Sequence, residues 1–328
     1  MRKEIVIAII AISIIAVSIL AVFLYLNPTE RDETIRVGWQ PPWVNQGQIA
    51  AILQNTSILQ QNGIEAKFTG FSFGPPMTEA ALSGQLDVVF LGDQPAFNLI
   101  SKDNSWKIVS PLVYYKSAIL VPLDSEIKSL KDLKGKTIVT GIGSTTYRDT
   151  IQILKEEGID RQEVTIKNLD VGGQLAFMQS TSDWGEIDAI AAYDPTVTLA
   201  VSKGLARPIK EYKSLGVIAV NKKFYEKYPG KIQKFIKSVK EAFEYYQKNS
   251  EQANQWYSDI TQYSASNQLY AEMAALEPKM QKNTEIKLQL NQETKNELQK
   301  HLETAVELSL IKELEIDKIT LQITDINN

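Results

Sequence analysis

The sequence predicts an α/β fold of two lobes carried behind a single N-terminal transmembrane helix. Three observations predict it: strand-like segments alternate with helix-like ones, the strand–loop–helix plan begins a second time at Lys136, and an uncharged apolar run fills Ile5 to Leu26.

The apolar run comes first. Its polar side chains are Ser13, Ser18 and Tyr25, and at about 1.5 Å per residue it reaches about 33 Å, enough to cross a hydrocarbon core. Arg2 and Lys3 precede it, so the positive-inside rule places everything after Asn27-Pro28 on the outer side. A cleaved signal peptide is the competing reading. Its apolar core would be shorter, and the small-x-small triplet Ala16-Val17-Ser18 lies inside the run rather than after it. The expected organisation is therefore an anchor at 1–27, a linker at 28–33 and an extracytoplasmic remainder.

That remainder reads as globular. The chain is 44% hydrophobic and 23% charged with a formal net charge of −4, which excludes a polycationic nucleic-acid binder and a disordered acidic tail. It has no cysteine, which excludes a lipid-modified N-terminal cysteine, disulfides, thiolate metal sites and cysteine nucleophiles.

Ile35-Arg36-Val37 predicts the first strand, followed by a Pro- and Gly-containing loop and a helix over about 48–61. Asn62-Gly63 ends that helix, Ala66-Lys67-Phe68 predicts a strand, and Pro75-Pro76 opens a helix through Leu82. Leu86 to Leu91 is almost wholly apolar, as a parallel strand buried on both faces should be. The plan then repeats. Thr137-Ile138-Val139 leads through Gly141-Ile142-Gly143-Ser144 into a helix over about 145–157, and Gly84-Gln85-Leu86-Asp87 with Asp93 six residues on is matched by Gly185-Glu186-Ile187-Asp188 with Asp194. Ser117 to Pro122 and Leu215 to Val220 are extended apolar stretches that read as two crossings between lobes, giving lobe 1 as 34–117 with 218–328 and lobe 2 as 118–217. From Lys231, Ile232, Phe235, Ile236, Val239, Phe243 and Tyr246 recur at helical spacing, and Trp256, Tyr257, Tyr263 and Tyr270 read as core aromatics. The charged stretch 281–318 reads as a solvated helical pair packed on lobe 1.

Catalysis finds little support in the residues. The single histidine, His301, lies on a polar C-terminal helix away from the glycine-rich loops, and no nucleophile elbow, dinucleotide fingerprint, P-loop or metal-ligand spacing occurs. No catalytic residue, metal or cofactor is expected. Binding is better supported, because ligands of open α/β sheets sit beyond the carboxyl ends of strands. The loops there carry Trp39 and Gln40, Phe73 and Gly74, Asp93 and Gln94, Ser144, Thr145 and Thr146, and Asp194. The hydroxyls and free N–H groups of Ser144-Thr145-Thr146 suit an oxyanion, Arg148 one turn later adds a cation, and Ser144 or Thr145 equally suits a helix cap. Asp93 and Asp194 suit either an amine or the orientation of a turn. Trp39, Trp43, Phe73, Tyr147 and Tyr193 suit either apolar walls of a cleft or lobe interiors.

Phe73-Gly74-Pro75-Pro76 with Glu79-Ala80-Ala81-Leu82, Gly84-Gln85-Leu86-Asp87, Gly92-Asp93-Gln94-Pro95, Ser129-Leu130-Lys131-Asp132-Leu133-Lys134-Gly135-Lys136 and Asp194-Pro195 resemble the aliphatic sulfonate, nitrate and taurine group of ABC-transporter solute-binding proteins. The resemblance spans about 34–225. It implies a type II periplasmic-binding-protein fold whose lobes close on a small anionic solute, a sulfonate such as taurine or an alkanesulfonate, or nitrate. It also implies delivery to an ABC permease with its ATPase. By position it places binding roles on Gln40, Gly74, Asp93, Gln94, Thr145, Thr146 and Asp194. Met178 to Trp184 is longer than the corresponding segment of many relatives and sits on the rim of the second lobe. Two alternatives stand beside this reading: binding or synthesis of a pyrimidine thiamine precursor on the same fold, for which a histidine near the cleft would be the sign, and a membrane-bound sensor ectodomain.

Overall fold

Strands and helices alternate along most of the chain, with six short strands and two long ones among the described residues. The computed structural model describes residues 34–261 and 263–323. The expected anchor and linker lie outside the described residues; among the described residues no helix is long and apolar enough to cross a membrane.

The first run comprises β1 (Ile35–Trp39), α1 (Val44–Asn55), β2 (Ala66–Gly70), α2 (Gly74–Leu82), β3 (Val88–Gly92) and α3 (Asp93–Lys102). After a long β4 (Trp106–Val121) come β5 (Thr137–Thr140), α4 (Thr145–Glu156), β6 (Thr165–Asn168), α5 (Val171–Ser180), β7 (Ala189–Tyr193) and α6 (Thr196–Ser202). A second long strand, β8 (Arg207–Asn221), leads into α7 (Pro229–Thr261), α8 (Asn267–Ala274) and α9 (Gln292–Glu307).

The eight strands form one mixed sheet in the order β2-β1-β3-β8-β4-β7-β5-β6. β1 is parallel to β2 and β3, and β5 is parallel to β6 and β7, as the alternating pattern predicts. The middle differs. The two apolar stretches that read as crossings belong to β4 and β8, which pair antiparallel from Trp106↔Asn221 to Val121↔Arg207. Ser110-Pro111 hides the first half of β4 in the sequence. Proline cannot donate to the ladder, and the strand carries it through register shifts between Ile108 and Ser110 and between Pro111 and Val113.

The repeated motif has a physical cause. Gly84 and Gly185 take positive φ, of 75° and 57°, where the chain turns toward β3 and β7. Asp87 Oδ2 then accepts the Arg36 N–H at 2.9 Å, and Asp188 Oδ2 accepts the Thr137 N–H at 2.9 Å, with each pair 51 residues apart. The backbone N–H of each aspartate returns a bond to the carbonyl of the same partner, at 2.8 and 2.9 Å. Each half of the sheet thus fixes its central strand with one carboxylate.

Ile232, Phe235, Ile236, Val239, Phe243 and Tyr246 form the buried face of α7, and Tyr257 meets Tyr270 edge-on at 6.1 Å inside the protein, in agreement with their reading as core. The expected helical pair over 281–318 is corrected to one helix, α9, and a single turn at Ile316–Ile319. Ahead of α9, Ile286, Leu288 and Leu290 alternate in an extended segment and are buried, since every second side chain of an extended chain faces the same way. α9 itself buries Leu298, Leu302 and Ala305 in the apolar cluster that contains Phe97 and Leu99 of α3. This packing brings the C-terminal region to the end of β3.

Candidate functional site

β8, β4 and β7 lie between β3 and β5 in the sheet, yet the helices that follow those two strands, α3 and α4, start within hydrogen-bond reach of each other across the junction of the two half-sheets. Gly92 makes the approach possible: a Cβ there would stand 2.4 Å from Thr145 Oγ1. Opposite Gly92 in the β3–β8 register lies Gly216, whose Cβ would stand 2.2 Å from Cη2 of Trp43. Paired residues of an antiparallel ladder face the same side. Two missing side chains therefore open one face of the sheet to Thr145 and Trp43.

Asp93 is the centre of the group that gathers there. It is 0% exposed. Its Oδ1 accepts from the Thr145 hydroxyl at 2.7 Å and from the Gln94 N–H at 2.7 Å, and lies 2.9 Å from Arg148 Nη1; its Oδ2 is 2.6 Å from His301 Nδ1. Arg148 is 1% exposed and gives Nε and Nη2 to Asp149 Oδ1 at 3.0 and 2.6 Å. Its contact with Asp93 is an ion pair without good hydrogen-bond alignment. Ser214 donates to Asp149 Oδ2 at 2.7 Å, and Ser117 links Ser214 at 3.1 Å to Thr146 at 3.4 Å. Burial by itself would raise the Asp93 carboxyl, but Arg148, His301 and the Thr145 hydroxyl outweigh it and hold the group well below the usual carboxylate range. Burial likewise works against the Arg148 charge, and Asp149 and Asp93 overcome it.

Beside this polar group stand three aromatic rings. Trp43 lies 4.6 Å from Tyr115 and 6.4 Å from Tyr193, and the two tyrosines are 5.7 Å apart. All three are buried, and the Trp43 indole N–H and the Tyr193 hydroxyl have no hydrogen-bond partner among the described residues. Burial pushes the Tyr115 hydroxyl well up, with the Asp93 and Asp149 charges adding to it. Unsatisfied polar atoms against apolar ring faces are what a small polar solute with an apolar part would engage.

Asp93, Gln94, Thr145 and Arg148 thus come together, with Thr146 joined through Ser117. Gln94 Nε2 turns to Asn98 at 2.9 Å, leaving Oε1 without a partner among the described residues. Ser144 acts as a cap, accepting the Tyr147 N–H at 3.1 Å. Gln40 donates to the Phe90 carbonyl at 3.2 Å and its own carbonyl accepts from Gln46. Trp39 is buried in the core of the first half-sheet, Gly74 packs against Pro95, and half-buried Phe73 reaches Gly141 across the junction.

Asp194, matched to Asp93 by the repeat, is used differently. Its Oδ1 accepts the Thr198 N–H at 2.8 Å at the start of α6, and its Oδ2 lies 3.9 Å from Lys116 Nζ. Burial pushes its pKa up from 3.8 to about 6, against the pull of Lys116. The folded carboxyl therefore holds its proton more tightly than the unfolded one, so stability falls as pH rises from about 4 to about 6, and the cost persists above that window. Asp194→Asn keeps the bond to Thr198 and removes the buried charge. It should stabilise the protein at pH 7.5 by up to roughly 3 kcal/mol and leave it near unchanged at pH 4, read by urea unfolding at both values.

His301 is the main correction. It was expected on a helix remote from the loops, yet α9 brings it onto Asp93, with the ring 23% exposed. Its being the only histidine in the chain was the sole sequence signal. Asp149, Ser117, Ser214 and Tyr115 carry no motif that marks them in the sequence.

The NMT1/THI5-like family model matches residues 106–253. The chain is 28% identical over 184 residues to a putative aliphatic sulfonates-binding protein of Escherichia coli (strain K12), an alignment that covers 55% of each, so it spans about half the length of that relative. Among solved structures it superposes on the alkanesulfonate-binding protein SsuA from Xanthomonas axonopodis pv. citri bound to MOPS, with a TM-score of 0.74 at 18% identity over 88% of this chain and 98% of that one. The resemblance to the sulfonate-binding group holds in sequence, and the fold is the α/β periplasmic-binding-protein fold with a mixed sheet. The desulfurization enzyme DSZB shares it with a TM-score of 0.61 at 14% identity over 88% of this chain and 96% of that one, so the fold alone does not separate binding from catalysis.

Proposed function

We propose that this chain, which resembles the aliphatic sulfonate-binding proteins in sequence and has their fold, is the extracytoplasmic solute-binding component of an ABC importer. It captures a small sulfonate, such as taurine or an alkanesulfonate, or nitrate, and hands it to a permease driven by an ATPase. The observation that carries this reading is the meeting of Asp93 with Thr145 and Arg148 at the junction of the half-sheets, where donors at the start of α4 face the end of β3. Lobe 1 takes 34–117 and 218–328, lobe 2 takes 118–217, and β4 and β8 are the connections about which they close. The apolar run Ile5–Leu26 tethers the domain near its permease, raising its effective concentration there.

A second reading, catalysis on the same fold, is favoured by the contact of His301 with Asp93, since a carboxylate-oriented imidazole is a general-base arrangement. It ranks second because that carboxylate is already shared with Arg148 and Thr145, and among the described residues His301 has Asp93 as its hydrogen-bond partner rather than a nucleophile.

Thermal unfolding of the full chain with taurine, ethanesulfonate, nitrate and an aminopyrimidine tests the first reading. A sulfonate at about 100 times its Kd should stabilise by about 2.7 kcal/mol, a rise of about 5–10 °C. A rise with the pyrimidine alone would overturn the anion and move the site to the Trp43 rings. Conversion of any of these compounds by the chain would favour the second reading.

A further inference from the structure

The donors best suited to hold an anion are engaged by the protein's own carboxylate. Thr145 Oγ1 and Arg148 Nη1 both meet Asp93 Oδ1, at 2.7 and 2.9 Å, and the other nitrogens of the Arg148 fork are held by Asp149. A sulfonate approaching this guanidinium would bring a third negative charge into a region where Asp93 is 0% and Arg148 1% exposed, and like charges in such surroundings are costly. One of the resident carboxylates has to give way.

The geometry points to which one. Asp149 follows Arg148 in the same helix and takes two of its nitrogens, with Ser214 on its other oxygen. Asp93 belongs to the other half of the sheet and touches Arg148 through one nitrogen, off the ideal line. It also has a second partner: His301 holds Oδ2 at 2.6 Å from α9, and α9 is packed on α3, the helix that Asp93 itself starts, through Leu298, Leu302 and Ala305. α9 also reaches α4, through the exposed ion pair of Glu307 with Lys155 at 2.6 Å, but its apolar face is buried on α3, so His301 stays with Asp93 while Thr145 and Arg148 belong to the far side of the junction.

We propose that Asp93 is an internal competitor for the solute's anionic group: it latches the two halves together through Thr145 and Arg148, yields them to the solute, and is then retained by His301. His301 is in this sense a positioning residue, which sets affinity through Asp93 without touching the solute. The inference rests on the anion-binding reading for its ligand arm, and its latch arm stands apart from it.

Two measurements on the full chain test it. Calorimetric titration with ethanesulfonate should show Asp93→Asn binding about tenfold tighter than the natural chain, because the competent state is no longer taxed by the latch. His301→Gln should bind several-fold weaker, because Asp93 has lost its alternative partner. Weaker binding by Asp93→Asn would overturn the proposal and make Asp93 a direct solute contact. The latch is read without solute. The chain has no cysteine, so dyes on Gln85→Cys and Glu157→Cys, both at exposed positions on opposite halves, report separation without background. Asp93→Asn should lengthen that distance, and Thr145→Val, which removes one latch bond and no charge, should lengthen it less. An unchanged distance in both variants would overturn the latch. If no variant binds ethanesulfonate, taurine or nitrate, the sulfonate reading fails and the dye distances alone decide the latch.

Discussion

Replacing Arg148 by alanine should cost about 3–5 kcal/mol of stability at neutral pH, because the change strands two carboxylates beside each other inside the protein. Asp93 is fully buried and the Asp149 side chain is 16% exposed, and Arg148 is the guanidinium they share. The pH dependence identifies the cause. In the natural protein Asp93 is held below its ordinary range, so its contribution is present above about pH 4 and fades only as pH falls toward the depressed folded value. Without Arg148 the burial that opposes ionisation has less to counter it, and the Asp93 carboxyl should rise. The variant should then recover relative to the natural protein as pH drops toward about 4, where the carboxyl can take up a proton. Urea unfolding at pH 7.5 and pH 4 reads this difference. Adding Asp93→Asn to Arg148→Ala should cost less than the sum of the single changes, since the two side chains share one interaction. A pH-independent loss would point to packing alone.

Trp43 is the second large effect. The ring is 2% exposed and packs against Tyr115 and Tyr193, and Trp43→Ala should cost about 3–5 kcal/mol through the cavity it leaves. Gly216→Ala attacks the same contact from the other side. Its Cβ would lie 2.2 Å from Cη2 and 2.6 Å from Cζ2 of that indole, and a buried ring hemmed in by two tyrosines has no room to withdraw. A loss of about 1–3 kcal/mol is expected. In the Trp43→Ala background the same substitution should cost little, because the atoms it strikes are gone. A double-mutant cycle by denaturant unfolding checks the coupling; additive losses would place the strain elsewhere on β8.

What each residue contributes was unevenly visible. The repeat of Gly84 to Asp87 in Gly185 to Asp188 was visible because its cause is local: a left-handed glycine, then an aspartate binding the strand beside it. The same repeat matched Asp93 to Asp194, and there it failed to predict the site. One carboxylate crosses to Thr145 and Arg148, while the other stays with Thr198 and Lys116. Asp93 is the first residue of α3, whereas Asp194 stands two residues ahead of α6, and their surroundings come from parts of the chain that the repeat does not duplicate. β4 was half hidden for a related reason, since Ser110-Pro111 breaks the local pattern and only pairing with β8 holds the strand together.

The sequence by itself determined the α/β alternation, the two parallel half-sheets, the buried face of α7 and the loops at the strand ends, because each depends on neighbours within a turn or a strand. The tertiary structure alone decided that Asp93 is the centre and that His301 belongs to it. That contact spans 208 residues and exists because α9 packs Leu298 and Leu302 on α3, a placement set by the whole apolar cluster and written in no local pattern.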